Sequence, residues 1–590
     1  MGDKSTSTET KPRIRVGHSK AKGGCTTCKA RHVKCDETKP ACLRCLNFWG
    51  RCEGYAAPKK RARPRQALSF IERSRPLLPR SSANPARDTL ITTAPFKTAD
   101  EHQGFQSFVT HTVPQLPGVF SSSLWSKIIL QASNSEPFVR DTLSAIGALS
   151  SCGRKWAKNL PAGKKSTDGI QVTPQYRFAL QQYGNAVNRM RKKLASYANR
   201  TDSSQETKDR NLRTALIACL LVICFEGLQG NYFQGLQHAS SGHAILHEWL
   251  SEHQALEPNP PSSSSIAKPG LGSPQPHLIE DELIHVFSRL DLQIMSFVDA
   301  RPPSLHSKLK SEGTSTIANM PNSFTSLTSA RLYWELIQRR TSHFIGDAAT
   351  RTSLRQDVDM NIDMGLGSGP VAVTPESEVR LSSHPALMTE YHSYASEISS
   401  WFTSFLPFYS TLQTGSRTWN AASTLKIQAL SHQILLHSSI LADEWSLDHF
   451  IPDFRTIVSL GNLISTDPLF STPHLFSFDT GLVNPIRLVS KWCREPSIRR
   501  DSIALLRKVA CREGVWDALT MASVSEWMME VEEERMTWDE EGEWCIRKED
   551  RVRTTNIVID SLERTATVTC ERLGRREDRS KDERETVIKW

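Results

Sequence analysis

From about Gln103 onward, apolar residues recur every three to four positions, the period of a helix with one buried face. This pattern predicts helices over 124–132, 139–149, 177–194, 211–228, 232–250, 279–297, 385–405, 425–445 and 499–510. The clearest is 211–228, where Leu212, Leu216, Cys219, Leu220 and Ile223 fall on one side. Gly230-Asn231 separates it from 232–250, so the two are expected to form an antiparallel pair. The helix at 279–297 should stop before Arg301-Pro302-Pro303. Only near the C-terminus does the period change to two: 552–559 and 566–570 alternate and predict a hairpin.

Between these stretches the periodicity lapses. Residues 258–276 are rich in Pro, Ser and Gly, and 351–378 carry no regular apolar spacing, so both are expected as loops. Residues 572–585 are densely charged and are expected to fray. The segment 526–543 mixes Glu530, Glu532, Glu533, Glu534, Asp539, Glu540 and Glu541 with Trp527, Met528, Met529 and Trp538. It is read as an amphipathic helix with a solvated acidic face, in preference to a co-regulator-recruiting segment.

Charge divides the chain differently. The sequence of 590 residues has a net charge of +10 and 38% hydrophobic residues. Through Arg65 it holds 17 of the 73 Lys and Arg but only 5 of the 63 Asp and Glu, leaving 56 against 58 for the remainder. The positive charge therefore belongs to the N-terminal part, as expected if that part alone meets a polyanion. Residues 1–22 read as a basic disordered tail, 23–55 as a small module, and 56–102 as a basic Pro/Ser-rich linker. Residues 103–525 read as a helical regulatory domain, and 526–590 as a charged C-terminal region. Lys59, Lys60 and Arg61 begin a run that suits nuclear import or contact with DNA phosphates. The longest apolar run, 215–225, is too short to cross a bilayer, and no membrane is expected as partner.

The module is defined by cysteines. Cys25, Cys28 and Cys35 repeat as Cys42, Cys45 and Cys52, a C-x2-C-x6-C pattern displaced by seventeen residues. A close thiolate pair with a third at short distance is metal-ligand spacing. One tetrahedral zinc would leave two sulfurs idle, whereas two zincs need eight ligands, which six sulfurs supply only if two bridge. Disulfides are the rival; the chain reads as lacking a secretory signal, which favours reduced thiols and zinc. The first repeat carries Lys29, Arg31, His32 and Lys34, the second Leu46, Phe48 and Trp49. The basic half is expected to face DNA, and the apolar half to pack on its twin. The other seven cysteines are scattered and read as ordinary buried thiols.

These residues, with Pro40 between the halves, resemble the fungal zinc binuclear cluster transcription regulators. The resemblance implies two Zn2+ ions per chain held by the six cysteines, with Cys25 and Cys42 bridging, and major-groove binding at CGG-like triplets. Family members usually carry Lys or Arg where His32 stands, which leaves Arg31, with its guanine-matching fork, as the main candidate reader. The stretches 216–229, 242–249 and 287–302 resemble more loosely the helical middle region of such regulators. The expected fold is thus mainly α: a binuclear zinc module of two short metal-bound helices, then a large all-helical domain with disordered linkers.

Function follows from the same residues. No phosphate-binding loop, dinucleotide fingerprint or nucleophile elbow is present, so no catalytic residues are assigned and no enzyme is expected. His243 and His247, four apart, are read as polar or cap-side rather than as metal ligands. The leading expectation is a nuclear, sequence-specific regulator of RNA polymerase II genes with double-stranded DNA as partner. Transcription co-regulators are further candidate partners. An enzyme or small-molecule receptor bearing a zinc module, and a scaffold using the cluster for protein contacts, are the alternatives. Prolines 58, 64, 76 and 79 interrupt any heptad after the module, so oligomerisation, if any, is assigned to the helical domain.

Overall fold

The protein is described by a computed structural model covering residues 23–49, 51–55, 96–159, 173–198, 204–256, 270–297, 299, 301–351, 384–440, 444–467, 470, 476–538, 544–560, 563–572 and 583–589. The chain divides into two compact units, Met1–Thr92 and Thr93–Trp590. The basic tail, the linker up to residue 95 and the run containing Lys59, Lys60 and Arg61 lie outside the described residues, as do most of the two expected loops.

The first unit contains two short helices, α1 (Thr26–Ala30) and α2 (Leu43–Trp49). The second is mainly helical. Its N-terminal part comprises α3 (Ala99–Ser107), α4 (Ile129–Ser135), α5 (Pro137–Asn159), α6 (Pro174–Ala198), α7 (Gln205–Gln229) and α8 (Tyr232–Leu256). There follow α9 (Asp281–Phe297), α10 (Pro303–Leu309), α11 (Thr314–Ala318), α12 (Leu327–Arg351), α13 (Pro385–Ser410), α14 (Arg417–Ile440) and α15 (Ile451–Ile464). The last helices are α16 (Val483–Trp492), α17 (Pro496–Val509) and α18 (Ala518–Glu533). Four two-residue strands, β1 (Arg512–Glu513), β2 (Trp516–Asp517), β3 (Thr537–Trp538) and β4 (Trp544–Cys545), pair as β1-β2 and β3-β4.

The expected pair at 211–228 and 232–250 is α7 and α8. Ser204 caps α7 by accepting from the Thr207 N–H, and Gly230 ends it in the left-handed region at φ 88°. Helix α7 is long and apolar enough to cross a bilayer by length and composition. Its residues Leu216, Leu220, Leu221 and Phe225 are instead buried in the core shared with α5 and α8. Helices α3 and α5 cross so closely that a Cβ on Gly147 would run into the Gly104 carbonyl, which requires glycine there.

The mainly helical expectation holds, and one expectation is corrected. In the charged C-terminal region β5 (Val552–Asp560), β6 (Thr565–Arg572) and β7 (Glu583–Lys589) form an antiparallel sheet in the order β5-β6-β7. The anticipated hairpin is its first pair, and Val552, Ile557, Ala566, Val568 and Cys570 join the core that contains α7. The start and end of the segment expected to fray are ordered: Arg572 is buried, donating to the Val531 and Asp550 carbonyls, and Glu583–Glu585 pair with β6.

The acidic segment is helical through Glu533, but its carboxylates are not simply solvated. Glu532 is fully buried, accepting from Arg494 (2.8 Å), Arg499 (2.5 Å) and the Val552 N–H (2.8 Å), which ties α18 to α17 and β5. Its burial is compensated by two guanidinium groups, as a buried charge requires.

Candidate metal centre and nucleic-acid interface

Among the described residues the cysteine module has almost no apolar core. Cys25, Cys28, Cys35, Cys42 and Cys45 are buried together, with Val33, Cys52 and Tyr55 the described residues packed against them. Sulfur takes the place that leucine and valine fill in an ordinary domain. The separations are 3.6 Å for Cys25–Cys42, 3.8 Å for Cys25–Cys45, 3.7 Å for Cys28–Cys42 and 3.6 Å for Cys28–Cys45. A disulfide needs about 2.05 Å, and all thirteen cysteines are free. A tetrahedron with zinc–sulfur bonds of about 2.3 Å has an edge of about 3.8 Å, so this spacing suits sulfurs sharing a metal.

Two quartets, each with its ligand atoms within 4.8 Å of one another, together use all six sulfurs: Cys25, Cys28, Cys35, Cys42 and Cys25, Cys42, Cys45, Cys52. They share Cys25 and Cys42. The hydrogen bonds follow the seventeen-residue repeat. The Cys28 and Cys45 N–H groups donate to Cys25 and Cys42 Sγ, both at 3.3 Å. The Cys25 and Cys42 N–H groups donate to Cys35 (3.4 Å) and Cys52 (3.5 Å). Such donors spread the thiolate charge and hold each sulfur in place.

Electrostatics separates Cys25, Cys28 and Cys42 from Cys35 and Cys52. Burial pushes the Cys25 and Cys42 thiols up, and that of Cys28 to about 12. Burial opposes ionisation of Cys35 too, but N–H donation from Cys25 and Glu37 brings it down to about 6. The N–H groups of Cys42 and Gly54 likewise lower Cys52. Cys25, Cys28 and Cys42 are therefore sulfurs that need adjacent cations in order to be thiolates.

The basic segment is less helical than its composition suggests. Helix α1 stops at Ala30, Arg31 is its C-cap, and His32 takes the left-handed conformation at φ 53°. The His32 N–H donates to the Lys29 carbonyl (3.2 Å) and the Val33 N–H to the Cys28 carbonyl (3.1 Å), the Schellman arrangement. His32 occupies the position that glycine usually takes, and its ring is exposed. Lys29 and Lys34 are also exposed, while Arg31 is half-buried. Removing the β-carbon should relieve the left-handed conformation. His32→Gly is expected to resist zinc chelators as well as the parent or better, by up to about 1 kcal/mol. Weaker zinc retention in a chelator competition would mean that the imidazole itself packs on the cluster.

The expectation for the second half needs correction. Leu46 and Phe48 are 41% and 65% exposed, and Leu43 is 54% exposed, so they do not form an apolar face packed on the first half; the Trp49 side chain lies outside the described residues. Of these three, Phe48 reaches across, with its ring 4.2 Å from the Arg31 guanidinium carbon. Helix α2 is held from the linking loop instead: Asp36 Oδ2 accepts from the Arg44 N–H (2.9 Å) and Thr38 Oγ1 from the Leu43 N–H (3.1 Å). Tyr55 closes the module by donating to the Thr38 carbonyl at 2.9 Å.

Residues 23–62 match the family model of the fungal Zn(2)-Cys(6) binuclear cluster domain. This module is such a domain. The binuclear cluster domain binds two zinc ions, and the paired sulfur quartets fit them. The chain is 29% identical over 245 residues to the aspercryptin biosynthesis cluster-specific transcription regulator atnN of Emericella nidulans, covering 38% of this chain and 35% of that protein. It is 27% identical over 223 residues to the transcription regulator lscL of Purpureocillium lilacinum, covering 38% and 48%. It is 39% identical over 75 residues to the transcriptional regulatory protein moc3 of Schizosaccharomyces pombe, covering 12% and 15%. The matches thus span about a third to a half of the first two relatives, and both run well beyond the length of the binuclear cluster domain. No solved structure gives a significant match to the chain.

The sequence reading missed the ionic cluster of the helical unit. His243 faces Asp291, with Nε2 3.6 Å from Oδ2, and both are buried. Asp291 also receives Arg301, Arg339 and His343, so His243 belongs to a charged interior rather than to a helix cap.

Proposed function

We propose that this protein is a sequence-specific, DNA-binding transcription regulator of RNA polymerase II genes, acting in the nucleus. The carrying observation is the pair of sulfur quartets sharing Cys25 and Cys42 beside an exposed basic segment. In this reading all six cysteines are ligands, and Cys25 and Cys42 each bridge both zincs. Zinc supplies fixed positive charge and fold. The chain's own residues supply recognition: Arg31 reads guanine O6 and N7 in CGG-like triplets, while Lys29, His32 and Lys34 flank it. Lys59, Lys60 and Arg61 hold phosphates and lend import charge. The helical unit is the regulatory domain, with co-regulators and any self-association assigned to it. The regulator names of the relatives support this reading over that of an enzyme.

The test is selection of preferred duplexes from random DNA by the full-length zinc-loaded chain, followed by variants on the selected site. Arg31→Ala is expected to cost about 1–3 kcal/mol on the preferred site and less elsewhere. Changing Lys60 and Arg61 together to Ala should weaken binding to all sequences alike and flatten its salt dependence. Equal losses on preferred and random DNA for Arg31→Ala would make it a phosphate contact only. Enrichment of no sequence would remove the proposal.

A further inference from the structure

Phe48 is hard to explain as a core residue. It is 65% exposed on α2, and its ring face meets the Arg31 guanidinium at 4.2 Å. The seventeen-residue repeat that relates Cys25 to Cys42 also relates Arg31 to Phe48. The two halves thus put different side chains at equivalent positions, a cation and an aromatic ring, and the fold brings them face to face. We propose that Phe48 is a positioning residue for Arg31, and that through this stacking the non-basic half of the cluster sets sequence preference; the inference rests on the DNA-reading role given to Arg31 above.

The chemistry is specific to that pair. A guanidinium is planar and weakly hydrated, and it lies flat on an aromatic face with its edge N–H groups left to donate sideways. Reading guanine O6 and N7 uses two N–H groups in one plane. A ring under the plane therefore fixes the fork's tilt without occupying its donors. It also lessens the rotamer freedom that a long side chain loses on binding. The backbone helps, because Arg31 is the last residue before the chain reverses at His32. An aliphatic side chain at position 48 would keep apolar surface but lose the quadrupole.

The test uses the full-length zinc-loaded chain with Phe48→Leu and Phe48→Tyr, each in the parent and in the Arg31→Ala background. Binding is measured on the selected duplex, on the same duplex with each triplet guanine changed, and on random DNA, alongside zinc content. Phe48→Leu is expected to keep two zincs and its affinity for random DNA, but to lose about three- to tenfold of the preference for the selected duplex. Phe48→Tyr should restore that preference, and Phe48→Leu should add nothing once Arg31 is Ala. The inference is overturned if Phe48→Leu leaves preference unchanged or strengthens it. Failure of Tyr to rescue, or loss of zinc by Phe48→Leu, overturns it as well. A further loss in the Arg31→Ala background would make Phe48 a direct DNA contact instead. A parent chain without preference sinks the functional proposal too, whereas a selective parent with a neutral Phe48→Leu sinks this inference alone.

Discussion

Replacing Cys42 with alanine is expected to strip both zinc ions from the chain, not one. Cys42 lies in both sulfur quartets, so its loss leaves each with three members. The geometry also leaves little else to hold the module together. Besides the cysteines, Val33 and Tyr55 are the described hydrophobic residues that pack into its centre, and both are half-buried. Zinc coordination is therefore the core, and a structural zinc contributes on the order of 10 kcal/mol or more to folding near neutral pH. Cys52→Ala should behave differently, since Cys52 lies in one quartet only and its removal leaves the other complete. Native mass spectrometry of the full-length proteins distinguishes the cases. No zinc in Cys42→Ala with one or two in Cys52→Ala supports the bridge. One tightly held zinc in Cys42→Ala would show that Cys42 is terminal. In either variant the thermal unfolding transition of Thr93–Trp590 should persist, because that unit has its own core.

The cysteine module was legible because ligand chemistry is written in spacing: six sulfurs in two equal repeats leave few geometries. What surrounds them was less so. His32 reads as one more basic residue, and nothing in a single sequence says that it takes the left-handed C-terminal position of α1. Leu46 and Phe48 read as apolar and hence inward, but a module whose interior is filled by sulfur has no room for them. In the helical unit, α7, α8 and α9 were visible because their buried faces are apolar. Helix α12 was not, although it is 25 residues long. Its buried positions mix Ala330, Trp334, Ile337, Phe344 and Ala348 with Arg339, Arg340, Thr341, His343 and Asp347, so polar and charged residues interrupt the apolar period at its middle. Helices α15 and α16 carry Pro452 and Pro485 within their first turns, where proline is tolerated but reads as a break. The third strand, β7, is largely exposed and lies in a charged segment, and only pairing with β6 reveals it.

The same polar interior carries the second large expected effect. Asp291, fully buried on α9, accepts from Arg339 Nε (2.8 Å) and His343 Nε2 (2.9 Å) and is paired with Arg301. Burial alone would raise its carboxyl, but His243, His343 and Arg339 hold it far below the usual carboxylate range. Around it, His343 Nδ1 lies 3.0 Å from His306 Nδ1, and Asp299 lies between Arg301 (2.8 Å) and His306 (3.1 Å). One carboxylate thus joins α9, the segment that follows it, and α12. Asp291→Ala is expected to destabilise the helical unit by about 3–5 kcal/mol, because it removes the buried carboxylate that Arg301 and Arg339 share and leaves them only Asp299 and Glu312 as counter-ions. Asp291→Asn keeps the shape and separates lost charge from lost packing. Acid should act in the same direction. Burial lowers His243 and His343 to about 4, against attraction by Asp291, so the folded unit resists their protonation while the unfolded chain accepts protons from about pH 6.5 downward. Stability from these two groups is therefore complete above about pH 6.5 and falls as pH drops towards 4; the Asp291 contribution, from a depressed carboxylate, is lost at still lower pH. Thermal unfolding of the full-length chain from pH 7.5 to 4.5 should show a falling midpoint for the parent. Asp291→Asn should start lower at pH 7.5 while still carrying two zincs. A variant as stable as the parent at pH 7.5 would show that Asp299 and Glu312, rather than Asp291, balance Arg301 and Arg339.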